Sequence, residues 1–153
     1  MDGVKEPAFE EALAGGMMKA DLDRSARHLL AFLEQNRRKE IFRYPFSRSY
    51  PENCCESVSL ILVYLIEEKY GLPDVRIIRG ARRDCYEFHF WVMAGAWTYD
   101  LTAHQFPGRQ PLIGVLADDL FLDEFPDWDD EYERDFVDRD EVIRLFRSGV
   151  IPF

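Results

Sequence analysis

Two adjacent cysteines, Cys54 and Cys55, stand at the head of the apolar run SVSLILVYLI, in a chain with three cysteines in all. Asn53 precedes them, and Glu56 follows three positions after Asn53, which is the pattern of a helix cap and capping box. A helix begun at Asn53 places both thiols in its first turn. Unpaired backbone N–H groups and the positive end of the helix dipole favour an anion there. A thiolate is such an anion, and it is the reactive form of cysteine. The same N–H groups can hold an oxyanion formed on a carbonyl. Downstream, His89 lies in YEFHFWV and Asp100 in AWTYDLT. A hairpin turning at Ala94-Gly95 sets Met93 opposite Ala96 and His89 opposite Asp100. Directly opposed residues have Cβ atoms about 4.5–5.5 Å apart, close enough for a carboxylate to accept a hydrogen bond from one imidazole nitrogen. The other nitrogen is then offered as a base to a third group. Taken singly, a buried cysteine is usually a small hydrophobe, and a strand histidine facing an aspartate also reads as a structural ion pair. Together, thiol, imidazole and carboxylate are the set that activates a cysteine nucleophile. A metal site built from Cys54, Cys55, Cys85 and His89 fits poorly, because adjacent cysteines do not match structural zinc spacing. No cofactor is implied.

The elements that must position these groups are legible in outline. From Ala20 to about Arg43 apolar residues recur at helical spacing: Leu22, Ala26, Leu29, Leu30, Leu33 and Ile41. Residues 1–19 read as a short helix or a loose N-terminal arm. RYPFSRSYPEN, punctuated by Pro45 and Pro51, reads as a loop. The helix headed by the cysteines runs to about Tyr70, where Gly71-Leu72-Pro73 stops it. It is apolar on nearly every side, which predicts burial in the core. DVRIIRG, CYEFHFWVM and AWTYDLT read as strands, and PLIGVL as a further one. The acidic stretch 118–140 reads as irregular. Asp138 or Asp140 caps a last helix over roughly Glu141 to Arg147, with Gly149 beyond its end. His28 and His104 have no partner evident in the sequence. The order is helix, buried helix, then sheet, which is an α+β arrangement.

Bulk properties narrow the function classes. A chain of 153 residues fits a single domain. A hydrophobic content of 47% and aromatic content of 14% supply a core. Three irregularly spaced cysteines do not make a disulfide framework, so the thiols are expected reduced and the protein cytoplasmic. No leader pattern opens the chain, and the apolar run Leu60 to Ile66 is far short of a membrane span. A net charge of −10 argues against nucleic acid as a partner. The acidic run reads first as a solvated surface and second as a docking face for a basic protein.

C-E-x-x-S leading into an apolar helix, then H-x-W-V, then Y-D-L-T resembles the transglutaminase-like branch of the papain-like cysteine protease and acyltransferase superfamily. The continuation DLTAHQFPG is similar to that of small bacterial proteins of this type, and the likeness covers roughly Pro45 to Pro111. It implies a papain/transglutaminase-like core in which the central buried helix packs on an antiparallel sheet. It also implies Cys55 as nucleophile, His89 as base and Asp100 as orienting acid. Cys55 is preferred to Cys54 because Ser59, a small residue, lies four positions on, where Cys54 has Val58. Cys54 and Gln105 are secondary site candidates. Phe90 replaces the small residue usual between His and Trp, which would narrow the site, and no glutamine stands just upstream of the cysteines. The implied activity is a cysteine-dependent hydrolase or acyltransferase acting on a protein, peptide or small amide substrate through an acyl-enzyme. The alternative is a binding module that keeps the fold without catalysis and holds a basic partner on its acidic surface.

Overall fold

A computed structural model describes residues 17–37, 39, 49–82, 87–116 and 123–153. Among the described residues the architecture is α+β, with three helices and a five-stranded antiparallel sheet. In chain order these are α1 (Met17–Gln35), α2 (Cys55–Tyr70), β1 (Val75–Ala81), β2 (Phe88–Ala94), β3 (Trp97–Asp100), a 3-10 turn (Ala103–Gln105), β4 (Leu112–Val115), β5 (Asp127–Glu131) and α3 (Arg139–Arg147). The sheet order is β4-β3-β2-β1-β5. Among the described residues no helix is long and apolar enough to cross a membrane.

Helix α2 is the centre of the core. Every residue from Ser57 to Ile66 is buried, as its all-round apolar sequence demands. Each fully buried aliphatic side chain on it contributes about 1.5–3 kcal/mol. Gly71 adopts a left-handed conformation at its end, and its N–H is bonded to the Glu67 carbonyl. Strand alternation then sorts the sheet into two faces. Val75, Ile77, Val92, Ala94, Tyr99 and Leu101 join the helices in the main core. Ile78 and Trp91 form a second cluster with Phe125 on the other face, bordered by Met93, Phe106 and Leu112.

Several sequence expectations are corrected. Helix α1 begins at Met17, inside the segment read as a loose arm, and ends at Gln35 rather than near Arg43. At its end both the backbone N–H and the side-chain Nδ2 of Asn36 donate to the Phe32 carbonyl. Residues 1–16 of the expected arm, Ile41 and Cys85 lie outside the described residues. Asn53 is not the cap of α2. It has a positive φ of 56°, and Cys54 occupies the cap position with φ −136°. Asparagine tolerates the left-handed region, so it turns the chain one residue before the helix. Glu56 is therefore the second helical residue, not the third, and the capping-box reading fails. The acidic stretch is not wholly irregular either. Asp127–Glu131 is a strand paired with β1. Aspartate disfavours strands, but here arginines on and beside β1 offset the charge. Arg76 meets Asp130 at 3.0 Å, Arg79 meets Glu131 at 3.7 Å, and Arg82 meets Glu124 at 2.8 Å. These charges also stand along an edge strand, where charge discourages pairing with other chains. The last helix starts at Arg139, and the Asp138 side chain caps it by accepting from the Asp140 N–H.

Candidate active site

The hairpin that carries His89 and Asp100 turns one residue later than the sequence suggested. Ala94 pairs with Trp97, Met93 with Thr98 and Val92 with Tyr99, so Gly95-Ala96 is the turn. Gly95, with φ 60°, takes the first central position, the place glycine favours in a type II′ hairpin. Moving the turn by one residue moves every partner by two. Extended in this register, Asp100 faces Trp91 and is the diagonal neighbour of His89. Because side chains alternate with a period of two, that shift leaves His89 and Asp100 on the same face. Diagonal neighbours are about 7–8 Å apart, which long side chains can span. His89 Nε2 and Asp100 Oδ2 meet at 2.6 Å.

This pair is buried, with side chains 1% and 2% exposed. Asp100 is held from its other oxygen as well: the Thr102 N–H donates to Oδ1 at 3.0 Å, and the Thr102 hydroxyl donates at 3.1 Å. The His89 ring is enclosed by aromatic side chains. Phe106 meets it edge-on at 4.9 Å, Phe125 lies at 5.6 Å and Trp91 at 5.9 Å between centroids. Gly80 pairs with His89 across β1. A Cβ there would stand 2.7 Å from the Trp91 indole and 2.8 Å from Phe125 Cβ, so only glycine lets these rings close over the strand.

The thiol comes from α2. Cys55 is its first residue, half-buried, and its side chain lies close enough to His89 to act on the imidazole. With Nε2 engaged by Asp100, Nδ1 is the imidazole nitrogen that remains for the thiol. Burial alone pulls His89 downward. The charge and hydrogen bond of Asp100, with those of Cys55, outweigh it and push the imidazole up to about 10. At neutral pH His89 is therefore held as an imidazolium beside Cys55 at a helix N-terminus. Cys54 is a different kind of residue. It is 3% exposed, and burial, then the neighbouring charges of Cys55 and Asp100, push its thiol up to about 12. Position in the first turn alone offers both cysteines the same claim to a thiolate, but the helix cap rotates only Cys55 toward the histidine. Burial, with Glu131 and Glu133 nearby, raises the Glu56 carboxyl above its ordinary range, against the opposing charge of Arg79.

Gln105 does not reach the thiol; its Nε2 donates to the Thr102 hydroxyl at 3.5 Å. Phe90 does not narrow the site, because it packs against the main core on the face opposite His89. His104 has a partner after all, Glu34 at 2.9 Å, and lies edge-on to Tyr50. His28 is exposed on α1. The residues that sequence reasoning missed are Thr102, Phe106, Phe125, Gly80 and Tyr50. Tyr50 is wholly buried and donates to the Leu101 carbonyl at 2.6 Å, tying the chain ahead of the cysteines to the turn after Asp100. Phe125 left one signal: it is an apolar residue alone within the acidic run DEFPD. Among the described residues, no three His, Cys, Asp or Glu side chains come together as a metal site.

Comparison of the chain with family models, with curated proteins and with solved structures gives no match in any of the three. The functional reading therefore rests on the geometry of these residues.

Proposed function

We propose that this protein is a cysteine-dependent hydrolase or acyltransferase acting on an amide or related acyl bond, with a papain/transglutaminase-like core. The observation that carries the reading is one histidine bonded through Nε2 to a buried carboxylate and also acted on by a thiol in the first turn of a buried helix. A merely structural His–Asp pair has no need of that third member.

In this reading the Cys55 proton is held by His89, as a thiolate–imidazolium pair. The thiolate sulfur attacks the substrate carbonyl carbon, and the carbonyl electron pair moves onto oxygen. Unpaired N–H groups of the first turn of α2 stabilise that oxyanion. As the tetrahedral species collapses, the imidazolium gives its proton to the departing amine, and a thioester to Cys55 remains. Water or a second amine, deprotonated by neutral His89, attacks the thioester and regenerates the thiol. Asp100 holds the ring in the orientation that keeps one nitrogen toward sulfur throughout.

Trapping with iodoacetamide, read by mass spectrometry of the Cys54–Cys55 peptide, tests the assignment. Cys55 is expected to alkylate faster than a free thiol at neutral pH, His89→Ala is expected to slow it, and Cys54→Ser to leave it fast. Alkylation of Cys55 no faster than free cysteine, or no response to His89→Ala, would overturn the reading. Release of ammonia or amine from a panel of peptides and glutamine-containing proteins then separates hydrolysis, deamidation and acyl transfer.

A further inference from the structure

We infer that Thr102 is a positioning residue of this site, and that residues 100–106 act as one clamp on the His89 imidazole. The inference rests on the thiol reading for its purpose, but its observations are separate. Asp100 spends one oxygen, Oδ2, on His89. A carboxylate bonded through one oxygen can still swing about its Cβ–Cγ bond and carry the ring with it. Here the second oxygen is pinned twice by a single residue, through the Thr102 N–H and hydroxyl. Thr102 is itself 1% exposed, so water does not compete for either bond. Its hydroxyl proton is directed as well: Gln105 donates to the hydroxyl oxygen, which leaves the hydroxyl hydrogen to Asp100.

The backbone makes this cheap. Thr102 caps the 3-10 turn Ala103–Gln105, and the Gln105 N–H returns to the Thr102 carbonyl at 3.0 Å. That turn delivers Phe106 edge-on to the His89 ring. The same seven residues therefore hold the imidazole from its Nε2 side and close its edge. Tyr50 fixes the clamp from outside by its bond to the Leu101 carbonyl. Thr102 bonds Asp100 and Asp100 bonds His89, so Thr102 acts on the thiol through those two residues.

Thr102→Val keeps the shape and the backbone N–H but removes the hydroxyl, whereas Thr102→Ser keeps the hydroxyl. Two readouts apply to the full-length chain. The first is the imidazole N–H proton of His89 by nitrogen-15 NMR, which moves far downfield when it is bonded to a fixed carboxylate. The second is the pH profile of Cys55 alkylation. A hydrogen bond to a charged group corresponds to about tenfold or more in an equilibrium. Thr102→Val is expected to broaden or shift the imidazole signal and slow alkylation by about that factor, and Thr102→Ser is expected to restore both. A Thr102→Val protein that loses thermal stability while keeping the wild-type signal and pH profile would show Thr102 to be structural only. If Thr102→Val does not fold, the wild-type protein decides. A buried hydroxyl bonded to Asp100 gives a slowly exchanging proton coupled to Thr102 Hβ, and its absence overturns the inference. The imidazole signal is also measured in Cys55→Ala, so a failure of the thiol reading is distinguishable from a failure of the clamp.

Discussion

Replacing Asp100 by Asn separates the charge of the carboxylate from its shape. In the wild-type protein Asp100 and His89 are within 2% of full burial and bonded at 2.6 Å. The folded state holds the imidazole near 10, against an ordinary value of 6.5. The sign follows from linkage: a group whose folded value is raised stabilises the fold fully below 6.5 and loses that contribution as pH rises through 10. Converted directly, the shift is about 5 kcal/mol at most. Breaking a buried ion pair by removing one partner costs about 3–5 kcal/mol. Asparagine still offers an oxygen to accept the imidazole N–H, so about 3 kcal/mol is the expected loss near pH 6. Urea unfolding of wild type and Asp100→Asn across pH 6 to 10 measures it. The gap should be widest at the acid end and shrink as the wild-type histidine deprotonates. A gap that is constant over this range would falsify the claim that the pair is an imidazolium–carboxylate pair. No gap at all would mean that the carboxylate charge is unimportant to folding. Cys55 alkylation in the same variant should slow, because uncompensated burial returns the histidine to its neutral form.

Two other perturbations read the shell around the pair. Gly80→Ala puts a methyl against Trp91 and Phe125, and the overpacking should cost about 1–3 kcal/mol, visible as a lower urea midpoint together with slower Cys55 alkylation. A Gly80→Ala protein as stable and as reactive as wild type would mean that those rings are free to move aside. Tyr50→Phe removes the buried bond to the Leu101 carbonyl and should cost about 1–3 kcal/mol, with a smaller effect on alkylation than Asp100→Asn. Equal effects on alkylation would mean that Tyr50 does more than anchor the turn.

Much of this molecule is legible in local pattern. The all-round apolar run from Ser57 to Ile66 could only be a core helix. Gly71 marks its end, and Asp138 marks the start of the last helix. A period of two placed His89 and Asp100 on one sheet face even with the turn assigned one residue early, since moving each residue's partner by two changes neighbours but not faces. The strand Asp127–Glu131 was hidden because its pattern is charge, and the arginines that make the charge tolerable lie some fifty residues away in sequence. The family likeness at Ser59 favoured Cys55 over Cys54, but the geometry that separates the two thiols was beyond local reasoning. It depended on Asn53 turning left-handed, which set Cys54 as the cap, buried, and Cys55 as the first helical residue, toward the histidine. The sequence by itself determined which chemical groups are available and which elements carry them, because periodicity and capping are written within a few residues. Only the tertiary structure decided which thiol meets the imidazole, and that Thr102, Phe106 and Phe125 hold the ring, because those contacts join segments whose proximity no local pattern encodes.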